Sequence, residues 1–128
     1  MSDVQVGIVG LGGIAHHHAE QLVETDATLI GGMDVATEPR ERFAAEFGVE
    51  TYAETEPLFD AVDAVLITTP NRYHEDHAVA ALERGLDVLL EKPLAHDLDS
   101  AERIAAAARA ATGFLMVGFN SRFAPAVE

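Results

Sequence analysis

Short apolar runs alternate along the chain with longer segments in which apolar residues recur every three or four positions. The short runs, rich in valine, isoleucine and leucine, have the length and composition of buried strands, whereas the longer segments have the period of amphipathic helices. Six strands are predicted, at residues 4–10, 28–34, 49–53, 63–70, 87–91 and 114–119. Helices are predicted at residues 13–25, 38–47, 74–84 and 100–112.

The boundaries of these segments carry recognisable helix signals. Thr37 is predicted to cap the second helix, Gly48 to end it and Gly85 to end the third, while Asp99 with Glu102 has the spacing of a capping box. Nearly continuous apolar strands indicate a sheet that is covered on both faces. The sequence therefore predicts an α/β fold of a single domain, a doubly wound parallel sheet (Rossmann fold) with strand order 3-2-1-4-5-6.

Composition narrows the classes of function. The 128 residues include 22 acidic and 8 basic side chains, a formal charge of −14, and no cysteine. Such a surface repels nucleic acids and anionic lipids, and a chain without thiols has neither disulfides nor a cysteine nucleophile. No apolar run approaches the ~18 residues of a membrane span, and no basic leader is visible. We expect a cytoplasmic protein, and the acidity with a single lysine is typical of a salt-loving organism.

The sequence GLGGIA, residues 10–15, follows the first strand and opens the first helix. It has the form G-x-G-x-x-A, in which Gly10 permits the tight turn, Gly12 lets a pyrophosphate approach the backbone and Ala15 lets the helix pack closely. Gly13 and Ile14 supply the next N–H groups at the helix start, where phosphates bind. This loop is predicted to bind a dinucleotide, although a lone glycine turn can also be purely structural.

Asp34 stands at the end of the second strand, 19 residues after Ala15. A carboxylate there accepts hydrogen bonds from the adenosine ribose and repels a 2′-phosphate, so NAD is the expected cofactor. The alternative interpretation is an aspartate that caps a turn at the strand end. NADP stays the alternative cofactor, because the Arg40 guanidinium could reach a 2′-phosphate if the loop folded back. Its expected position is nevertheless solvated, on the second helix.

The segment TTPNRYH, residues 68–74, follows the fourth strand. Ligands of doubly wound sheets bind beyond the carboxyl ends of the strands, so Thr69, Pro70, Asn71 and His74 are candidate cofactor residues. Pro70 would stiffen the turn and Asn71 could donate to and accept from a ribose or a nicotinamide. An ordinary proline turn is the alternative interpretation.

Lys92 is the only lysine of the chain and follows the fifth strand. All the other cationic side chains are arginine. A lysine kept at this one position indicates that a compact, titratable amine is needed there. No metal site is predicted, because adjacent residues of the run His16–His17–His18 point in different directions on a helix.

Taken together, GLGGIA, Asp34, TTPNRYH, EKP (residues 91–93) and GFNSRF (residues 118–123) resemble, in this order and spacing, the N-terminal domain of a known oxidoreductase family. It is the glucose–fructose oxidoreductase, inositol dehydrogenase and rhizopine-catabolism family (Gfo/Idh/MocA). The resemblance covers essentially the whole chain.

The resemblance implies roles for individual residues. Lys92 would be the catalytic residue that assists hydride transfer at a sugar or polyol carbon, and Glu91 and Pro93 would shape the nicotinamide ribose site. Asn71 and His74 match the family's strand-four loop, and Arg122 matches an arginine near the active-site floor.

The family pattern also implies a second domain that this sequence lacks. Residues 1–123 would be the NAD(P)-binding domain, and residues 124–128 would begin the connection to a C-terminal substrate domain. That domain would bind a small sugar or polyol and form a homo-oligomer, so this chain alone is expected to be inactive. The alternatives are a stand-alone, non-catalytic dinucleotide-binding regulator and, more remotely, a methyltransferase.

Overall fold

The architecture was derived from a computed structural model that describes residues 4–22, 24–25, 27–68, 71–90, 98–113 and 115–117. Six strands and five helices alternate along this part of the chain. The strands are β1 (Gln5–Val9), β2 (Thr28–Met33), β3 (Glu50–Tyr52), β4 (Ala64–Ile67), β5 (Asp87–Leu90) and β6 (Leu115–Val117). The helices are α1 (Gly13–Leu22), α2 (Thr37–Phe47), α3 (Thr55–Ala61), α4 (Asn71–Glu83) and α5 (Leu98–Ala110).

The strands form one parallel sheet in the order β3-β2-β1-β4-β5-β6, which confirms the predicted doubly wound topology. Strand order reverses between β1 and β4, the first and fourth strands along the chain. In such a sheet the crevice at the reversal, beyond the carboxyl ends of β1 and β4, is where ligands bind. The topology therefore places the glycine-rich loop after β1 and the loop after β4 side by side.

Side chains alternate between two hydrophobic clusters, one on each face of the sheet. On the front face, Ile8 and Leu66 pack with Ala15 and Ala19 of α1 and with Phe43 of α2. On the back face, the alternate residues of the same strands pack with α3, α4 and α5. The buried residues of that larger cluster include Val9, Leu58, Val65, Ile67, Ala78, Ala81, Leu82, Val88, Leu90 and Ile104. This division follows from the right-handed crossover rule, because connections that run in opposite directions from β1 fall on opposite faces.

Helix α3 is absent from the prediction made from sequence, which left the residues between the third and fourth strands unassigned. The helix has only seven residues, too few for a clear amphipathic period. Its helical state comes from packing, since Leu58 is fully buried and Phe59 is 3% exposed in the back-face cluster. Tertiary contacts thus decide the structure of this segment.

Two predicted caps are wrong. Helix α2 begins at Thr37, and its N-cap is Ala36, which makes no side-chain capping bond. The Thr37 hydroxyl instead accepts a hydrogen bond from Arg40 Nη2, at 3.2 Å. Helix α5 begins at Leu98, so Asp99 lies inside its first turn. The predicted helix ends are confirmed, since Gly48 and Gly85 adopt left-handed conformations with φ of 68° and 84° after α2 and α4.

Two features are absent from the described part of the chain. Within the described residues, no helix combines the length and apolar character that a membrane crossing requires. In the same part of the chain, no group of three or more histidine, aspartate or glutamate side chains is arranged to hold a metal ion.

We predict that Leu58→Ala lowers the free energy of unfolding by about 2–5 kcal/mol, because the change opens a cavity where a fully buried side chain joins α3 to the sheet. Urea denaturation followed by circular dichroism would measure this loss. Glu56→Gln, at an exposed position of the same helix, is the matched control and should change stability by less than about 0.5 kcal/mol. Equal stability of the two variants would show that α3 contributes little to the core.

Candidate dinucleotide-binding site

The glycine-rich loop connects the end of β1 to the start of α1 in three residues, 10–12. Gly10 has φ of 93°, a conformation that a side chain would strain, so glycine is required at this turn. The Gly10 N–H donates to the Met33 carbonyl at 2.8 Å, which keeps the start of the loop bound to the end of β2. Leu11 is 1% exposed and anchors the loop in the front-face cluster.

Two side chains from the neighbouring strands hold this loop from opposite sides. Asp34, just after β2, accepts the Leu11 N–H on Oδ2 at 2.9 Å. Thr68, just after β4, donates its hydroxyl to the Gly10 carbonyl at 2.7 Å. The loop backbone is therefore fixed before any ligand arrives. Sequence reasoning missed the role of Thr68, although its signal was present, as a hydroxyl directly after a buried strand at the ligand-binding edge.

The start of α1 is open on the side where a ligand would approach. A Cβ atom built at Gly12 or at Gly13 would meet nothing within 4 Å. The first N–H groups of a helix have no acceptor within the helix, and the first turn of α1 contains no acidic residue. Ala15 is fully buried, so α1 packs close to the sheet, while Ile14 is 48% exposed beside the open backbone. This geometry suits a phosphate group, because free N–H groups and the helix dipole both favour an anion.

The Asp34 carboxylate already serves the protein, in the way expected of an aspartate that caps a turn at a strand end. Besides Leu11, it accepts the Ala36 N–H on Oδ1 at 2.9 Å, which shapes the loop that enters α2. A carboxylate has about four acceptor positions, so two hydrogen bonds leave capacity for the hydroxyls of a ribose. The carboxylate is half-buried and lies next to the glycine-rich loop, as the dinucleotide hypothesis requires.

Arg40 lies on α2, as expected, but it is half-buried and hydrogen-bonded instead of fully solvated. Its Nη1 donates to the Asp34 carbonyl at 2.8 Å, and its Nη2 donates to the Thr37 hydroxyl at 3.2 Å. The guanidinium thus folds back over the loop between β2 and α2 and is half-buried there. A cation held by two hydrogen bonds accordingly lies next to the residue that was predicted to bind the ribose.

The histidine run serves packing in two of its three positions. His16 contacts the Glu46 carboxylate and lies against the Phe43 and Phe47 rings, with centroid distances of 5.4 Å and 5.7 Å. His18 is 4% exposed on the opposite side of α1. His16 and His18 therefore pack α1 against its neighbours. Among the described residues, no group of side chains that includes these histidines is arranged to hold a metal ion.

Several predicted site residues lie outside the described part of the chain. They are Thr69, Pro70, Glu91, Lys92, Pro93 and Arg122, and the cofactor or catalytic role of each stays a prediction. Asn71 and His74 belong to the first turn of α4, whose backbone alone is described there. The strands that lead to these loops are described, and β4 and β5 end at the same edge of the sheet as β1.

A doubly wound sheet with a fixed glycine-rich loop, an open helix start and an acidic residue after β2 defines a dinucleotide-binding domain. The comparison with protein families agrees, since residues 4–119 match the family described as "Oxidoreductase family, NAD-binding Rossmann fold" (GFO_IDH_MocA). This chain belongs to that family, which confirms the resemblance found in the sequence.

Individual relatives are similar over nearly the whole chain. Glucose-6-phosphate 3-dehydrogenase of Bacillus subtilis is 34% identical over 120 residues, and inositol 2-dehydrogenase 4 of Saccharopolyspora erythraea is 41% identical over 131 residues. These matches cover 93% and 96% of this chain but only 34% and 38% of the two relatives. The crystal structure of GenD2 from gentamicin A biosynthesis, in complex with NAD, superposes with a TM-score of 0.86 at 29% identity, covering 92% of this chain and 35% of GenD2.

We predict that Gly12→Ala weakens NADH binding by at least about tenfold while leaving the thermal midpoint unchanged, because the new Cβ enters only the open space where the pyrophosphate approaches. Fluorescence titration and thermal melts would measure the two quantities. Gly48→Ala is the converse control, because Gly48 ends α2 with a φ of 68° and is not part of the glycine-rich loop. That change should cost roughly 1–2 kcal/mol of stability and leave affinity intact. Unchanged affinity in Gly12→Ala would contradict a role of this loop in phosphate binding.

Proposed function

We propose that this chain is the cofactor-binding half of an NAD(P)-dependent dehydrogenase that acts on a CH–OH group of a sugar, a polyol or a related hydroxy compound. The observation that carries the proposal is the glycine-rich loop held between Asp34 and Thr68, with the helix start beside it left open. Membership of the family supports it, as do the names of the two relatives, which are dehydrogenases of glucose 6-phosphate and of inositol.

The described residues suggest how the adenosine half of the cofactor binds. The pyrophosphate would lie over Gly10, Gly12 and Gly13, with Ile14 as an apolar rim, and the ribose hydroxyls would donate to Asp34. NAD is the favoured cofactor because the Asp34 carboxylate would repel a 2′-phosphate. Arg40 reduces the expected preference for NAD over NADP. Its guanidinium lies beside Asp34 and could form an ion pair with the 2′-phosphate of NADP.

The nicotinamide half would lie over the loops after β4 and β5. When bound, NAD supplies the carbon that accepts the hydride. Lys92 would hydrogen-bond the reacting hydroxyl and accept its proton as the C–H bond gives up the hydride. The remaining proposed contacts of the cofactor rest on position after β4 or on the family resemblance. Position after β4 supports Thr69, Pro70, Asn71 and His74. The resemblance supports Asn71 and His74 as well, and it alone supports Glu91, Pro93 and Arg122.

The whole enzyme is proposed to contain a second domain that binds the substrate and forms a homo-oligomer. Support comes from length, since this chain spans little more than a third of the two relatives. In this scheme residues 1–123 form the cofactor domain, and residues 124–128 begin the connection to the next. A cytoplasmic, salt-rich setting is proposed from the charge of −14 and the lack of cysteine, and it rests on composition alone.

We predict that Asp34→Ala weakens NADH binding by about 1–2 kcal/mol more than it weakens NADPH binding. Both cofactors lose the support that Asp34 gives to the loop, whereas only NADPH is relieved of the repulsion between the carboxylate and its 2′-phosphate. Parallel titrations with both cofactors would measure the ratio. Asp34→Asn is the structural control, because its amide oxygen can still accept one of the two backbone N–H groups. A purely structural Asp34 would show equal losses for both cofactors together with a lowered thermal midpoint.

We predict that the 128-residue chain binds NADH but does not oxidise polyols, because positioning of the substrate, worth roughly 7–11 kcal/mol of barrier, requires the second domain. In a longer protein encoded by the same open reading frame, Lys92→Ala should lower turnover about 10²-fold or more without changing NADH affinity. Lys92→Arg is the matched control, since it keeps the charge but cannot give up its proton near neutral pH. Robust turnover by the 128-residue chain would refute the two-domain scheme, and a longer protein that binds NADH without turnover would favour a regulator.

A further inference from the structure

Strand β2 contains an irregularity just before the residues that reach the candidate site. The register of β2 on β1 skips Ile30. Ile30 packs against the back-face cluster, and a Cβ atom built at Gly31 would approach the Leu58 side chain of the same cluster at 3.5 Å. Two consecutive residues on one face mark a β-bulge. The bulge turns the next residue, Gly32, toward the front face, where Leu11 lies.

The missing side chain of Gly32 leaves a slot that Leu11 fills. A Cβ atom built at Gly32 would lie 2.7 Å from Leu11 Cδ2 and 3.2 Å from Leu11 Cδ1. The same atom would lie 3.3 Å from Phe43 Cε2, so a second wall of the slot is an aromatic ring that is itself fully buried. Carbon atoms that are not bonded to each other are most stable at ~3.5–4.0 Å, so a side chain at position 32 would displace Leu11 or Phe43.

The glycine-rich loop yields more easily than the strand to such a collision. Gly32 pairs with Ile8 of β1 on one side and with Thr51 of β3 on the other, so it lies inside the sheet. Leu11 belongs to a connection of only three residues, and its N–H is held by the Asp34 carboxylate at 2.9 Å. Because the Leu11 side chain is 1% exposed, protein encloses it, and packed interiors transmit strain. A displaced Leu11 side chain would therefore carry its own backbone away from Asp34.

We propose that Gly32 is a positioning residue of the dinucleotide site, because its slot holds Leu11 and thereby fixes the glycine-rich loop against Asp34. The inference rests on the proposed function, in which the loop binds a pyrophosphate. Gly32 acts through Leu11 and does not itself touch the cofactor. The bulge belongs to this arrangement, since a slip of one residue would turn Gly32 to the back face and bring Met33 against Leu11.

Two double-mutant cycles separate positioning of the loop from general packing. Gly32→Ala, Leu11→Ala and their double variant form the test cycle. Gly7→Ala, Leu58→Ala and their double variant form the control cycle, because a Cβ atom built at Gly7 would lie 2.7 Å from Leu58 Cδ1 on the back face. Both cycles thus place a methyl group against a buried leucine. Fluorescence titration well below each thermal midpoint measures NADH affinity, and NMR without cofactor measures amide exchange at position 11.

Gly32→Ala should weaken NADH binding at least about tenfold and speed exchange of the Leu11 amide by a similar factor, because movement of the loop relieves the overpacking. The double variant Leu11→Ala/Gly32→Ala should bind NADH more tightly than Gly32→Ala and as tightly as Leu11→Ala, since the colliding δ-carbons are gone. Gly7→Ala should lower the thermal midpoint but leave NADH affinity and Leu11 exchange within about twofold of the unmodified chain, because its collision lies on the other face of the sheet.

Unchanged NADH affinity in a folded Gly32→Ala variant would overturn the proposal. An equal loss of affinity in Gly7→Ala would overturn it as well, because the effect would then come from general packing. If Gly32→Ala does not fold, the comparison of Leu11→Ala with the double variant decides: equal affinities support the slot, and a further loss in the double variant overturns it. If Gly7→Ala does not fold, its double variant with Leu58→Ala is the control.

The two readouts distinguish this inference from the proposed function. An unmodified chain that does not bind NADH would refute the dinucleotide function, while faster Leu11 exchange in Gly32→Ala would still support the slot. An unmodified chain that binds NADH no more tightly than Gly32→Ala, with equal Leu11 exchange in the two, would refute the slot and leave the dinucleotide function standing.

Discussion

The hydrogen bond from the Leu11 N–H to the Asp34 carboxylate is the contact on which the candidate site depends. It ties the glycine-rich loop to the end of β2, while Thr68 ties the same loop to the end of β4. Because both partners come from the protein, the loop is in place before a ligand binds, and little conformational entropy remains to be lost on binding. Asp34 therefore combines a structural role with the proposed recognition of a ribose.

Chirality of the crossovers is the second constraint, and it governs both the site and the packing of the helices. The parallel strands β1, β4 and β5 end at one edge of the sheet, and ligands of doubly wound sheets bind at this edge. The same rule places α1 and α2 on the front face and α3, α4 and α5 on the back face. The candidate cofactor site and the two helical layers thus follow from one topology.

Binding of the cofactor and positioning of the substrate make different demands on the proposed enzyme. All the contacts proposed for the adenosine half lie in the described residues, on rigid ends of strands and at a helix start. In the proposed dehydrogenase, hydride transfer would additionally require a substrate carbon held against the nicotinamide, with its oxygen near Lys92. A cofactor domain can bind its ligand by itself, whereas catalysis depends on a second surface that fixes the substrate.

The sequence by itself determined the strand order, the glycine-rich loop and the position of Asp34, because each depends on local pattern: apolar period, glycine spacing and distance along the chain. Only the tertiary structure decided the rest. Helix α3 forms because Leu58 finds a buried site, and Arg40 folds back because the Asp34 carbonyl and the Thr37 hydroxyl lie within its reach. The packing of Leu58 and the hydrogen bond from Thr68 to Gly10 join segments that are far apart in the chain, so no local pattern of residues encodes them. The Arg40 contacts span only three and six residues, but they form because the turn after β2 brings the two acceptors to the guanidinium.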